Sequence, residues 1–412
     1  MSYGDAREWV AQRWSQWMLK SDDDDTSTTL KATTTGSWSH PGWWAHCRSP
    51  SPYCIDKNHC LCLPPLPKHM QSYQMNLSTV AYFIGNASGM DSSVELRSET
   101  RFGSVGVGWQ IDGIPKKWAQ GLEVVELAEA KRLKALRPDV RVLVSRQSEV
   151  GTKMWNTVSA LIAGDPTNAK KFFTSCRGKP CSVNWETDAS FFFNWESPAL
   201  RDWWVYTYIG GALNESAIDG VYLDCACVEP KGDHLPGSFQ ANAQLAVDAS
   251  IVLATRLGKS IQTWNPSGGT AHGGGDVAGC VKAIHSAISM GNDTRYTFQP
   301  SFRGMGAPGT VTAQEYSNTI GSFLLARGES ALLEYPPTAS PGDLFPNATQ
   351  FPWSPLLDLD FGVPLALAVE TTNGSFVRQW SKATVANCSM NANLFHDFLL
   401  KMQKEWRIVP EN

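Results

Sequence analysis

From about Leu77 onward, short apolar runs alternate with longer stretches of helical period, and this alternation restricts the fold more than any other feature of the chain. Strands separated by amphipathic helices pair in parallel, because each crossover carries the chain back to the end of the sheet from which it started. Eight strand candidates can be read: Thr79–Asn86, Phe102–Gln110, Val140–Ser145, the run from Phe191 to Pro198, Ile218–Asp224, Ser260–Asn265, Arg295–Gln299 and Ala331–Tyr335. Helices are expected at Gly121–Leu136, Pro198–Leu213, Phe239–Leu257 and Ala313–Arg327. The first repeats Leu122, Val125, Ala128, Leu133 and Leu136 and stops at Arg137-Pro138, while Pro198 suits a first helical turn. Eight parallel strands with helices between them make an α/β fold of the (β/α)8 TIM-barrel type. The alternative, an open doubly wound sheet, usually carries a glycine fingerprint after its first strand, which is absent here. Gly268–Gly275 is glycine-rich but lacks the Lys-Ser/Thr of a phosphate loop, so it reads as a flexible connection.

Three segments follow from this pattern. Residues 1–70 hold an amphipathic aromatic stretch, the acidic run Asp22–Asp25, a Ser/Thr-rich stretch and a Pro/Cys segment, so they are expected to form a largely irregular extension. Residues 77–370 are expected to form the barrel. Residues 371–412 carry the alternating pattern Ser375–Asn387, a terminal β segment entered from Pro364–Val369.

Within the barrel, Ile218–Asp224 (I-D-G-V-Y-L-D) is the central strand. Alternation puts Gly220, Tyr222 and Asp224 on one face. If that face lines the barrel, Asp224 stands at the C-terminal mouth, where such barrels keep their chemistry. An aspartate at a strand end also serves as a loop or helix cap, and both readings stand on spacing alone.

Composition limits the function classes. A net charge of −4 without a basic block gives a nucleic-acid partner no electrostatic footing. No apolar run is long enough to span a bilayer, and the first 20 residues interleave charges with Val10, Trp14 and Trp17 where a secretory signal would be apolar. Yet there are seven N-x-S/T sites, at Asn76, Asn86, Asn214, Asn292, Asn347, Asn373 and Asn387, against about three expected by chance from this composition. Ten cysteines include the cluster Cys47, Cys54, Cys60 and Cys62 and the pair Cys176 and Cys181, which can close as disulfides. A zinc site built with His46, His59 and His69 is the rival, but the spacings fit no standard finger. Sites and cysteines together point to a secreted or secretory-lumen glycoprotein. Seventeen tryptophans suit both core packing and stacking on sugar faces.

The strand D-G-V-Y-L-D, preceded by N-W-E-S-P-A-L-R-D-W-W at Asn194–Trp204, resembles a group of glycoside-hydrolase-like barrels, in which a segment of the kind N-P-x-x-R-x-W-W comes one helix before a D-G-[VIF]-[FWY]-L-D strand. G-V-P-L, F-V-R-Q-W and A-T-V-A-N within Gly362–Asn387 look like the closing β segment of the same group. The resemblance spans about residues 77 to 390 and implies that Asp224 is a catalytic carboxylate. The usual Asn-Pro is here Asn194-Trp-Glu-Ser-Pro198, and the next strand ends in Trp264-Asn265 where the group has an acid.

Cleavage of an O-glycosidic bond takes two carboxyl groups, one to protonate the leaving oxygen and one to attack or activate water. Glu334 is the expected acid, since it shares a strand face with Leu332. Glu149 is the alternative acid and Asp360 a third. Tyr82, Trp109, Arg146, Tyr222, Trp264, Asn265 and Gln299, all near strand ends, are the expected substrate contacts. The expected partner is an oligo- or polysaccharide, and the scattered His234, His272 and His285, with Cys225 and Cys227, give no metal-ligand spacing, so neither metal nor organic cofactor is expected. A non-catalytic glycan-binding protein on the same scaffold is the alternative function.

Overall fold

The computed structural model describes residues 54–56, 59–60, 72–84, 97, 100–108, 121–164, 171–176, 179–180, 190–224, 238–264, 284–285, 296–298, 313–334, 355–371 and 375–387. The chain divides into two compact units. One, the barrel unit, comprises Leu66–Arg146, Ser216–Cys225 and Ser260–Asn412; the other comprises Met1–Pro65, Gln147–Glu215 and Ala226–Lys259. Residues 77–370, expected as one barrel, are therefore shared between them.

The barrel unit is built on seven strands: β1 (Thr79–Ile84), β2 (Ser104–Gly108), β3 (Arg141–Gln147), β4 (Gly220–Asp224), β5 (Ser260–Trp264), β6 (Tyr296–Phe298) and β7 (Leu332–Glu334). They form one parallel sheet in which β7 pairs with β1, and the order β4-β5-β6-β7-β1-β2-β3 closes as a barrel. Where β3 meets the start of β4, the Asp219 N–H donates to the Val142 carbonyl at 2.8 Å. Partners in parallel register share a face, so Leu143 (opposite Gly106), Tyr222 (opposite Gln262) and Leu332 (opposite Thr297) belong to one row. Leu143, Tyr222 and Leu332 do meet in a buried cluster, which makes this row the inside. Gly108, at the end of β2, has a φ of 133°, and a Cβ there would lie 2.7 Å from Cβ of Ser145.

The other face of β3 presents Val142, Val144 and Arg146 to an outer helix, Leu122–Leu136, which also packs on β2. A second core joins Ile320, Phe323 and Leu324 of the helix Ala313–Ala326 to Leu357, Phe361, Phe376, Trp380 and Val385. The last three come from, or adjoin, an antiparallel sheet of Val369–Glu370, Phe376–Gln379 and Thr384–Asn387. Buried Arg378 fastens that sheet to the helix end, its Nη1 donating to the carbonyls of Leu324, Leu325 and Arg327 at 3.2, 3.1 and 2.7 Å. These carbonyls close a helix C-terminus and carry the negative end of its dipole, so a cation is favoured there.

Two strand expectations are corrected. Ser190–Phe192, expected in the barrel wall, pairs antiparallel with Val150–Thr152 in the other unit, leaving seven barrel strands among the described residues. A run of three phenylalanines buries both faces wherever it lies, so periodicity cannot tell a barrel wall from a ribbon in an aromatic core. Pro364–Val369 is reduced to one bridge, Pro364 to Trp380, and the short strand at Val369, since proline lacks the N–H that a ladder needs.

In the second unit, Trp155, Trp195, Trp204, Tyr208, Phe173 and Phe193 are all fully buried. Trp203 stacks on Tyr208 with centroids 5.5 Å apart, and Phe173 stacks on Phe193 at 5.9 Å. Gly151 is required between them, because a Cβ would lie 2.8 Å from one ring and 2.9 Å from the other. The helix expected at Pro198–Leu213 runs as α over Pro198–Trp203, widens to π over Trp204–Ile209 and ends as α over Gly210–Leu213. Ser197 caps it, accepting from the Leu200 N–H at 3.3 Å. These tryptophans are packing residues.

Within residues 1–70, Cys54–Asp56 pairs antiparallel with His59–Cys60, setting Cys54 opposite Cys60. Ser175–Cys176 pairs likewise with Lys179–Pro180. Cys47, Cys62 and Cys181 lie outside the described residues.

Candidate active site

Each part of the D-G-V-Y-L-D strand has a distinct physical role. Asp219 Oδ2 accepts the Val142 N–H at 2.7 Å and pairs with Lys134 Nζ at 2.6 Å, so this carboxylate ties β4 to β3 and to the outer helix. Gly220 sits where a Cβ would fall 2.4 Å from the Ser260 carbonyl oxygen and 2.8 Å from Leu143 Cδ2. Val221 and Leu223 face the outer layer, while Tyr222 packs inward with Leu143 and Leu332 and is 3% exposed. Asp224 is the last residue of β4, at the register parity of Tyr222.

β7 ends in the same way. Glu334 is its last residue, at the parity of Leu332 and opposite Val80 in the register with β1. Tyr82 has the parity of Val80, and Trp264, which ends β5, has that of Gln262. Parallel strands all point their C-terminal ends the same way, so the backbone brings Asp224, Glu334, Tyr82 and Trp264 to one end of the sheet at one parity. The side chains of these four lie outside the described residues, as do Trp109, Asn265 and Gln299 entirely.

The remaining expected site residues are elsewhere. Arg146 has the opposite parity and is 3% exposed; its Nη1 lies 2.6 Å from Glu126 Oε2 and its Nη2 3.7 Å from Glu123 Oε1, both on the outer helix. It is a strand-to-helix clamp rather than a group offered to a sugar. Tyr222 lies in the packed floor. Glu149 belongs to the other unit, where its carbonyl accepts the Phe193 N–H at 2.9 Å. Asp360 bonds to Lys382 and accepts the Gly362 N–H at 2.8 Å, and the Lys382 bond holds its carboxyl below the usual range. An acid held ionised in this way is poorly suited to protonating a leaving group.

Sequence reasoning missed buried polar residues of the inner row, among them Ser104, Ser145 and Gln262. Gln262 Nε2 reaches the Ser330 carbonyl at 3.4 Å, while its Oε1 and both serine hydroxyls make no hydrogen bond among the described residues. The signal is present in the alternation of Gln262 and Trp264 with Ile261 and Thr263, which puts Gln262 on the same face as the strand's last residue. At the opposite end of β3, burial pulls the Arg141 guanidinium down to about 10, partly offset by Asp219. Among the described residues no group of three His, Cys, Asp or Glu could hold a metal, and no helix is long and apolar enough to cross a membrane.

No family model matches the chain, and no curated protein does. Solved structures similar to it include the noncanonic maltogenic alpha-amylase AmyB from Thermotoga neapolitana, at 12% identity and a TM-score of 0.34 over 62% of this chain and 58% of that one. A cycloalternan-degrading enzyme from Trueperella pyogenes matches at 12% identity and a TM-score of 0.41, over 70% of this chain and 46% of that one. An alpha-amylase from Geobacillus thermoleovorans, complexed with acarbose, matches at 12% identity and a TM-score of 0.41, over 77% and 88%. The chain thus spans little more than half of the first of these and less than half of the second. At such TM-scores the superpositions are too loose to transfer a residue or an activity, and the chain's likeness to these glycoside hydrolases stays a coarse one.

Proposed function

We propose that this chain is a carbohydrate-active enzyme on a glycosidase-type (β/α) barrel, hydrolysing an O-glycosidic bond with Asp224 as nucleophile or base and Glu334 as acid. What supports this reading is the strand register, in which two carboxylate residues close β4 and β7 at the parity of the inner row. In a ring of seven strands β4 and β7 are near-opposite walls. With strands about 4.8 Å apart and tilted by about 36°, the ring is about 14 Å across, so two inward carboxylates would stand roughly 6–8 Å apart. That is nearer the spacing that leaves room for a water, as inversion requires, than the closer spacing of a retaining pair. Tyr82, Trp109, Trp264, Asn265 and Gln299 would supply the apolar platform and the hydroxyl contacts around the pair.

Release of reducing sugar from a panel of oligo- and polysaccharides tests this directly. Asp224→Asn and Glu334→Gln should each lower kcat by about 10²–10⁴-fold while leaving the folded state intact by circular dichroism. Full activity in Asp224→Asn would remove that residue from the chemistry. Saturable glycan binding without turnover by the wild-type chain would instead favour the non-catalytic glycan-binding protein.

A further inference from the structure

The N-x-S/T triplets are a sequence feature that the barrel mouth leaves unused, and the fold separates two of them. Attachment of an N-glycan takes a carboxamide nitrogen and a hydroxyl two residues on, so both must be reachable at once by the transferase. Asn76-Leu77-Ser78 meets half of that condition. Asn76 is exposed, but Ser78 is 1% exposed. Its Oγ lies 2.8 Å from the carbonyl oxygens of both Ser72 and Gln74, and it accepts from Arg327 Nη2 at 2.7 Å. The residue between is held as well: the Leu77 carbonyl accepts from Arg141 Nη2 at 2.6 Å, and a Cβ on Gly103 would lie 2.2 Å from its oxygen. Lifting this triplet towards an enzyme would take a hydrogen-bond partner from each of two guanidiniums.

Asn214-Glu215-Ser216 is built the other way, with all three residues exposed. Asn214 closes the helix Gly210–Leu213, its N–H donating to the Gly210 carbonyl at 3.0 Å, and the Glu215 N–H donates to the Ala212 carbonyl at 3.2 Å. Lys259 Nζ reaches the Glu215 carbonyl at 2.6 Å. These bonds fix the backbone of the turn and engage neither the Asn214 carboxamide nor the Ser216 hydroxyl. Ser216 stands four residues before Gly220, the first residue of β4. The triplet therefore lies on the chain that enters β4 at its N-terminal end, whereas Asp224 closes the C-terminal end, where barrels of this kind work.

We propose that Asn214 is an N-glycan attachment site that stays open in the folded chain, and that folding closes the one at Asn76. In the transfer, Asn214 Nδ2 forms a bond to the anomeric carbon of a glycosyl diphosphate donor, the bond from that carbon to the diphosphate oxygen breaks, and the diphosphate leaves with its electron pair while the amide gives up one proton. The test incubates the folded full chain with a soluble N-glucosyltransferase and UDP-glucose, with a tryptic digest of the same chain beside it, and locates added hexose by peptide fragmentation. The folded chain should carry hexose at Asn214 and none at Asn76, the digest should carry it at both, and Asn214→Gln should remove it from that position. A bare Asn214 in the folded chain overturns the proposal, as does hexose at Asn76 there or an Asn76 that stays bare in the digest. Protein from its native source, deglycosylated in ¹⁸O-water, should be labelled at Asn214. Label at other sites but not at Asn214 would refute the assignment of this site, and label at none would refute it together with the secretory route on which it rests.

Discussion

At position 220 there is no space for a methyl group. The Cβ of an alanine would press on the Ser260 carbonyl and hydroxyl and on Leu143 at 2.4, 2.7 and 2.8 Å, and two of these three are backbone or short side chain that cannot swing away. Gly220→Ala should therefore cost about 1–3 kcal/mol, typical of overpacking, and urea unfolding should show a lowered midpoint with an unchanged slope. Asp219 beside it can be separated into its two functions. Asp219→Asn keeps an oxygen for the Val142 N–H and loses only the charge opposite Lys134, whereas Asp219→Ala also leaves that N–H without its acceptor. The alanine variant should be the less stable by about 1–3 kcal/mol. The two residues that open the D-G-V-Y-L-D strand thus hold the wall together, and chemistry is expected only of its last.

The helix Leu122–Leu136 shows what a sequence can and cannot disclose at the level of an element. Its existence, its end at Arg137-Pro138 and the buried Leu122, Val125 and Leu133 were legible, but the rest of the buried face was not: Leu136 is 47% exposed, while Glu126 and Glu129 are buried. Hydrophobic periodicity assigns glutamate to water. Here Arg146 draws Glu126 inward, and Arg132 bonds Glu129 at 2.7 Å. The same pair explains why Arg146, read from the sequence as a substrate contact, is not one: its partner lies 20 residues away on another element, beyond the reach of a local pattern. Strands β1 to β7 were legible because turn residues bound them, and Phe191–Phe193 was misplaced because it lacks alternation. Glu126→Gln should destabilise the chain by about 3–5 kcal/mol, since it strips the near carboxylate from a buried guanidinium. The double variant Glu126→Leu/Arg146→Met should recover much of that loss, and a double-mutant cycle by thermal unfolding measures the coupling.

For the whole molecule, the compartment is open to a direct measurement. Three of the seven glycosylation sites, Asn76, Asn214 and Asn387, fall on described residues, and the first two are exposed. Protein from its native source should lose mass on endoglycosidase treatment and should show no free thiol at Cys54 or Cys60, which face each other across a two-stranded ribbon. An unchanged mass together with free thiols there would place the protein in a reducing compartment.

The ring order also sets a timetable. β7 completes the sheet by pairing Leu333 with Thr79 of β1, so the first strand made meets its second neighbour last. With about 250 residues between them and synthesis at about 5–20 residues per second, one edge of β1 waits roughly 10–50 s on the ribosome without its partner. An open edge held that long is a template for pairing with other nascent chains. Yield in cells should therefore depend on chaperone supply during translation far more than on the stability of the finished barrel.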